Sequence, residues 1–477
     1  MTAALARELG AALAGTGAVS DGPGSGMRFA ELRAAAEAIA GTLARHGLAP
    51  AEPVHLLIGN RAADLAGMLG IWQAGGVVVP VHRSALAATT ARIAALSAAR
   101  FAVDGSAVTA IASEPPTRRP LLHDAALVIF TSGSTGLPKG VVIGHERMAG
   151  KIAVLDRLLQ LRPTDVVSVP LQLTFIFGIW VSFVTLRAGA CLALVPRFSA
   201  AAQQAALQAG ATVMAAVPSM LRTMAAGDAL HGNGPRLVLA GGEPLGPEVR
   251  RAVAQAWPGT EIRDLYGLTE TGSSDFCMMR AETATHGNPI GTPTSEVAFR
   301  IADPAGAAVP EGDAGELQIR SPFGMLGYLD APEATEASFQ SGYFRTGDLA
   351  RVEPDGSVSL VGRLKEIVSR GGNKVAPLEI DNLLGTHPDI AAALTAGVPD
   401  PRLGEALCTV VVPRPGATID DPALRRWLGE RLERFKLPDT LSVEDTLPVG
   451  PTGKASRAAL RARFAEREPA GTRTSPR

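Results

Sequence analysis

The chain has 477 residues, with 45 basic and 46 acidic side chains, so its formal net charge is −1. That balance argues against a nucleic-acid surface or a polybasic contact with a membrane. Hydrophobic residues at 46% and charged residues at 19% match ordinary globular proteins, and a length prior of roughly 150 residues per domain gives two or three compact units.

From the N-terminus, the run MTAALARELGAALAG reads as a short amphipathic helix rather than a secretory leader, because no basic segment precedes a long apolar one. Helical spacing over 62–74 leads into a β-branched strand over 77–81, and a second strand over 126–130 ends at a glycine-rich loop. The apolar stretch 175–194 is interrupted by Gly178, Ser182, Arg187 and Gly189, too often for a membrane span. Strands over 211–217 and 236–239 follow, each flanked by helical Ala/Leu/Arg patterns. Strand–helix alternation of this kind predicts parallel sheets covered by helices. From about Asn288 the strands shorten and Gly, Pro and Asp separate them, as at 315–320 and 356–361, which reads as a β-rich subdomain. After Arg363 the pattern turns to mixed α and β: a helix over 378–384, strands over 391–398 and 407–412, and an amphipathic helix over 422–435. The predicted class is α/β. A large N-terminal domain over 1–363 has helix-covered sheets and the β-rich subdomain, and a small α+β domain spans 364–477. The tail from Glu466 has the composition of a disordered segment. Cys191, Cys277 and Cys408 lie far apart and form neither a disulfide framework nor a zinc spacing, which fits a reducing cytoplasm. The eight histidines are scattered and predict no zinc site.

The strongest chemical signal is Thr131-Ser-Gly-Ser-Thr-Gly-Leu-Pro-Lys-Gly140, directly after an apolar strand. Gly133, Gly136 and Gly140 let backbone N–H groups turn inward. Thr131, Ser132, Ser134, Thr135 and Lys139 add further donors, so the segment reads as a polyphosphate cradle. It is not a Walker A loop, because Pro138 stands where the second glycine belongs. A flexible linker would not sit between a buried strand and the apolar residues that follow. Further on, Glu270 offers a hard oxygen suited to a Mg²⁺ that bridges phosphates. Tyr266 offers a flat face for a base, Asp264 an acceptor for an exocyclic amine, and Asp348 an acceptor for two vicinal hydroxyls. Only six residues are lysines (Lys139, Lys151, Lys365, Lys374, Lys436, Lys454), and the three tyrosines (Tyr266, Tyr328, Tyr343) all lie in glycine-rich segments. Scarcity of these kinds marks where a compact ammonium or a phenol is kept.

Six segments in order resemble the acyl-adenylate-forming superfamily of acyl- and aryl-CoA synthetases, peptide-synthetase adenylation domains and beetle luciferases. They are 131–140, LAGGEPL at 239–245, DLYGLTE at 264–270, YFRTGD at 343–348, GRLK at 362–365 and PVGPTGK at 448–454. The resemblance implies an ATP-dependent acid–thiol ligase with ATP, Mg²⁺ and coenzyme A, or a carrier-protein phosphopantetheine, as its reaction partners. By the same resemblance Thr131, Ser132, Gly133, Ser134, Thr135, Gly136 and Lys139 hold phosphates. Gly242, Glu243, Asp264, Tyr266, Gly267, Asp348 and Arg363 hold the rest of the nucleotide. Lys454, Thr269 and Glu270 are implied as catalytic, Glu270 also as the Mg²⁺ ligand. Lys365 is implied as a hinge about which the small domain moves, and Gly371 and Gly372 as lining the thiol channel.

The acid pocket is expected at 169–180 together with Gly241, Gly242, Gly267, Ser273 and Ser274. No Asp stands in 169–180 to pair with an α-ammonium, and an unpaired ammonium in an apolar pocket costs several kcal/mol. Phe175 stands where many acyl-CoA synthetases carry His, and Phe at this position is similar to what benzoate-type CoA ligases show. Phe177 and Trp180 suit either a flat pocket wall or the core. The expected acid is aromatic or medium apolar. The acceptor stays open between coenzyme A and a separate carrier protein, since both present the same pantetheine arm. A nucleotide-binding homologue without ligase activity, or an ATPase, is the competing class. Intact Lys139, Glu270, Asp348 and Lys454 argue against it.

Overall fold

The computed structural model describes residues 4–22, 24–114, 117–131, 138–279, 288–449 and 455–467. Among these residues the strands form sheets of fourteen, seven and five strands.

In the seven-stranded sheet Pro53–Ile58 is flanked by the parallel strands Val77–His82, at the centre of the sheet, and Phe101–Asp104. Val77–His82 pairs in turn with Ala125–Thr131, and Lys139–Gly144 folds back antiparallel on that strand. The two-residue strand Gly327–Tyr328 completes the edge. The fourteen-stranded sheet has a parallel part in the order Ala18–Gly22, Cys191–Leu194, Val166–Val169, Val213–Ala216, Leu237–Gly241 and Glu261–Tyr266. It continues through antiparallel strands, from Phe276–Met278 to Ala298–Ala302, that wrap their own core of Phe276, Ile290, Leu317, Ile319 and Val358. Parallel strands buried on both faces read as continuous apolar runs, which is why Val77–His82 and Leu237–Gly241 carry almost no polar alternation.

The helices Ala62–Gln73, His145–Leu159 and Ile176–Arg187 join both large sheets in one core. Trp72 anchors that core: its ring lies 5.2 Å from that of Phe183, and its Nε1 donates to the Ala126 carbonyl at 2.8 Å. The C-terminal part has a separate core of Val368, Ile380, Leu384, Leu407, Val411 and Leu428. It is built on the long hairpin Ile390–Asp400 and Gly404–Pro413 with the helices Pro377–Leu384, Asp421–Gly429 and Arg457–Arg467.

Several expected elements shift. The strand expected at 356 begins at Val358, because Gly356 closes a turn onto Glu353 at φ +80°. The helix expected over 422–435 stops at Gly429, a poor helix former, and Arg434–Lys436 forms a separate turn. The stretch around 175–194 contains the helix Ile176–Arg187, a helix buried all round and therefore without an amphipathic stripe to announce it. The helix Arg457–Arg467 takes in the first two residues of the expected disordered tail, and the tail beyond it lies outside the described residues.

One buried ion pair stands out in this frame. Lys151, on the helix His145–Leu159, lies 3.1 Å from Asp275, and both side chains are almost wholly buried. Burial pushes the Asp275 carboxyl up, while Lys151 and the Thr271 hydroxyl pull it back. Removing one partner of such a pair strands a buried charge. Lys151→Met alone is expected to cost about 3–5 kcal/mol of stability in urea unfolding. Lys151→Met with Asp275→Leu should recover most of that loss, since no charge is then left buried. Equal stability of the single variant and wild type would show that water reaches the pair.

Candidate active site

The site gathers at the C-terminal ends of the parallel strands and along the edge that Gly327–Tyr328 adds. Leu237–Gly241 ends in Gly241 and Gly242, the latter at φ +82°. A Cβ on Gly241 would lie 2.8 Å from the Leu265 carbonyl oxygen and 3.3 Å from the Phe177 ring, so glycine there lets the strand end pack closely against an aromatic ring. The Glu243 carboxylate accepts from Ser219 N at 3.1 Å, Ser219 Oγ at 2.9 Å and Arg222 Nη2 at 3.0 Å. It therefore caps the helix Pro218–Ala226, whose first N–H groups lack helical partners.

The neighbouring strand Glu261–Tyr266 supplies Asp264 and Tyr266. Arg250 donates to Asp264 at 2.7 Å, and burial outweighs that partner, pushing the Asp264 carboxyl up to about 7. Tyr266 donates its hydroxyl to Asp348 Oδ2 at 2.7 Å, while Arg363 Nε lies 2.8 Å from Asp348 Oδ1. Asp348 and Arg363 face each other across the paired strands Tyr343–Val352 and Val358–Arg363. Burial raises the Asp348 carboxyl, and Arg363 and Tyr266 offset it. The Tyr266 phenol is raised well above its ordinary value by burial and by Asp348, so it stays a neutral donor.

Gly267 begins a tight turn. Any Cβ there would fall 2.2 Å from Ser274 N, which lets the chain fold back on itself after the single turn Thr269–Thr271. Gly272 at φ +89° is followed by Ser273 and Ser274 at φ 68° and 52°, two side chains in the left-handed region that L-residues enter at a cost. Both serines are buried. Lys151 Nζ donates to the Ser274 carbonyl at 3.3 Å, and Thr294 Oγ1 donates there too, so the corner is held from two sides. Thr269 and Glu270 remain half-buried at its tip.

On the phosphate side, Thr131 ends its strand and pairs with Lys139 across the loop. Ser132, Gly133, Ser134, Thr135 and Gly136 lie outside the described residues. The Lys139 ammonium stands 4.7 Å over the centre of the Tyr328 ring, and the Tyr328 hydroxyl donates to Glu270 Oε1 at 3.2 Å. Among the described residues no group of three or more His, Cys, Asp or Glu could hold a metal. Glu270 alone is no metal cage. A single hard carboxylate beside a phosphate loop fits a magnesium ion that arrives on phosphates and keeps most of its other ligands.

The expected acid-pocket residues divide. Phe175 sits at the N-cap of Ile176–Arg187 and is 60% exposed. Phe177, half-buried, faces Gly241, and its ring lies 5.3 Å from that of Trp180, a core residue. In the C-terminal part, Lys365 is in the single turn Leu364–Glu366, which follows directly on Val358–Arg363. Gly371 and Gly372, at φ +54° and +85°, form the exposed tip of the hairpin Val368–Arg370 and Asn373–Val375. Lys454 lies outside the described residues. Just before and after it, Val449 bridges to Ala455, and Arg457 pairs with Asp381 and Glu366.

Sequence reasoning gave Tyr328 no role and missed Arg250 altogether. The scarcity of tyrosine marked Tyr328, but its contacts with Lys139 and Glu270 arise only in the fold. Arg250 is one of many arginines, and nothing in its local sequence distinguishes it.

Comparison with known proteins agrees with this geometry. The model of the AMP-binding enzyme family matches residues 11–118 and 103–329, and that of the AMP-binding enzyme C-terminal domain matches 379–454. A feruloyl-CoA synthase of an Amycolatopsis species is 32% identical over 92% of this chain and 94% of its own. A 4-coumarate–CoA ligase of Oryza sativa subsp. japonica is 32% identical over 77% of this chain and 70% of its own. The crystal structure of ATP-bound MatB from Rhodopseudomonas palustris superposes with a TM-score of 0.83 at 27% identity, covering 96% of this chain and 98% of MatB. The chain belongs to the AMP-binding enzyme family and is an acid–thiol ligase of the AMP-forming type.

Proposed function

We propose that this ligase activates an aromatic or medium-sized apolar carboxylic acid as its acyl-adenylate and transfers the acyl group to coenzyme A. The observation that carries the nucleotide part is one arrangement. Glu270 and Lys139 meet on opposite parts of Tyr328 beside the phosphate loop, while Asp348, backed by Tyr266 and Arg363, offers a buried acceptor for the ribose hydroxyls. In the first half-reaction a substrate carboxylate oxygen attacks the α-phosphorus of ATP, the bond to pyrophosphate breaks, and acyl-AMP forms. Lys139 and the hydroxyls of Thr131, Ser132, Ser134 and Thr135 receive the leaving pyrophosphate. Glu270 would hold Mg²⁺, which supplies charge neutralisation between the phosphates. Lys454 offsets the repulsion as two anions approach. In the second half-reaction the thiol sulfur attacks the acyl carbon, the acyl–phosphate bond breaks, and AMP leaves. Gly371 and Gly372 line the thiol's approach after the small domain turns about Lys365.

Support for the acid comes from Phe177, a half-buried aromatic ring beside the end of Leu237–Gly241, and from the missing carboxylate in 169–180. The feruloyl-CoA synthase relative is itself named for an aromatic acid. The feruloyl-CoA synthase and 4-coumarate–CoA ligase relatives are named for coenzyme A, which favours it as acceptor, while another relative is named as a fatty acid–[acyl-carrier-protein] ligase.

A panel of acids assayed for pyrophosphate release, with and without coenzyme A, tests this reading. Aromatic acids are expected to release pyrophosphate and free α-amino acids are not. Robust adenylation of any free α-amino acid would falsify the substrate assignment, and phosphate release without added acid would make the protein an ATPase. Because Phe177 is half-buried against Gly241 and Phe175 is largely exposed, Phe177→Leu should shift preference toward bulkier acids while Phe175→Leu leaves the acid profile nearly unchanged. The opposite outcome would move the pocket to Phe175.

The two half-reactions should separate. Lys454→Ala is expected to slow acyl-adenylate formation by about 10²-fold or more, the scale of one lost transition-state contact. The same variant should still convert supplied acyl-adenylate and thiol to thioester near the wild-type rate. Lys365→Pro fixes φ at the hinge and is expected to do the reverse. Rapid-quench measurement of each step decides, and equal loss of both steps in both folded variants would sink the domain rotation.

A further inference from the structure

We infer that Tyr328 is a positioning residue of adenylate formation: its ring places Lys139, and its hydroxyl places Glu270, for the same bound triphosphate. The inference rests on the ligase reading above and goes beyond it by giving one side chain control of both groups.

Tyr328 belongs to neither the phosphate loop nor the Glu270 turn, yet its segment is bonded to both. Residues Gly327 and Tyr328 pair with Val142 and Val141, and Leu329 N donates to the Gly140 carbonyl at 2.7 Å, one residue beyond Lys139. On the other side Met325 N donates to the Glu270 carbonyl at 2.8 Å. Arg147 Nη1 clasps the Gly324 and Met325 carbonyls at 2.7 and 2.6 Å. Tyr328 N is fixed in turn by Thr335 Oγ1 at 2.9 Å. The side chain is 5% exposed, so its two contacts are made from a fixed ring. An ammonium 4.7 Å above an aromatic centroid lies within the range where the ring's negative face attracts it. The hydroxyl at 3.2 Å gives Glu270 Oε1 a directional donor, which turns the carboxylate without neutralising it. Burial and the nearby Glu270 charge hold the phenol above its ordinary value, so it keeps its proton at neutral pH. A phenol used only for packing at this place would need no carboxylate at its tip. Phenylalanine would fill the same space without burying a hydroxyl.

The test uses the full chain and binding as its readout. Binding of α,β-methylene ATP is measured calorimetrically across a Mg²⁺ series for wild type, Tyr328→Phe and Tyr328→Leu, with AMP as the control ligand. Tyr328→Phe should raise the Mg²⁺ concentration for half-maximal analogue binding on the order of tenfold, the scale of a hydrogen bond to a charged group, and leave AMP affinity unchanged. Tyr328→Leu should weaken the analogue a further ~2- to 5-fold at saturating Mg²⁺, the scale of an exposed cation–π contact. That extra loss should vanish in a Lys139→Ala background, where no ammonium remains to be placed. An unchanged Mg²⁺ requirement in Tyr328→Phe overturns the inference, and so does an equal loss of AMP affinity, which would mark plain structural damage. Tyr328→Phe keeps the ring and the packing, so it decides the question even if Tyr328→Leu does not fold. A wild type that binds the analogue without any Mg²⁺ dependence overturns the ligase reading of Glu270 and this inference with it.

Discussion

The two large sheets share a core, but at the site their relative position depends on a short segment, residues 324–329, hydrogen-bonded to both. Leu326 N donates to the Val142 carbonyl at 2.7 Å on the phosphate-loop hairpin, and Met325 N reaches the Glu270 turn that closes the parallel strands. A hydrogen bond between backbone groups contributes only about 1 kcal/mol net. The value of this clamp is geometric rather than energetic. It brings an ammonium from one sheet and a carboxylate from the other to the same phenol.

Buried charge at the site follows one rule: each acid has a cationic or hydroxyl partner, and each partner comes from a different element. Asp348 has Tyr266 and Arg363, Asp264 has Arg250, and Asp275 has Lys151 and Thr271. Moving an ion out of water costs several kcal/mol, and pairing offsets that cost only when the geometry is fixed. These pairs therefore add little to stability and much to placement. Asp275 and Lys151 hold the left-handed corner Ser273–Ser274 against Gly267, and that corner sets where Thr269 and Glu270 stand.

Much of this was readable in the sequence wherever the cause is local. The helix expected over 62–74 is Ala62–Gln73, whose Ala, Leu and Met are strong helix formers, and the strand expected over 315–320 is Gly315–Arg320, set off by Gly312-Asp313 before it and Pro322 after it. The helix Ile176–Arg187 was not readable as such, since burial on every side leaves no polar face. Phe175 and Phe177 differ for a related reason: the helix begins at Ile176, so Phe175 is its extended, exposed N-cap while Phe177 lies in its first turn and is half-buried, a boundary that the uniformly apolar sequence does not mark. Glu243 shows a third limit: its carboxylate caps the N-terminus of Pro218–Ala226, a partner more than twenty residues earlier that its local sequence does not announce. Tyr328 shows the fourth, a residue whose neighbours are brought to it only by strand pairing distant in sequence.

In the C-terminal part the ion pairs run between its own elements. Arg457, just past the lysine loop, binds Asp381 on Pro377–Leu384 and Glu366 in the turn that follows Arg363. Asp381 is pushed up to about 6 by burial, with Arg457 pulling against it. Lys436 joins the turn Arg434–Lys436 to Glu379 on Pro377–Leu384, and Arg461 joins the helix Arg457–Arg467 to Glu405 on the long hairpin. Val449 and Ala455, on either side of Lys454 in sequence, bridge to each other. Arg457, two residues past that bridge, ties it to the turn Leu364–Glu366. Under the proposed rotation about Lys365, the bridge and the arginine would therefore move with that turn.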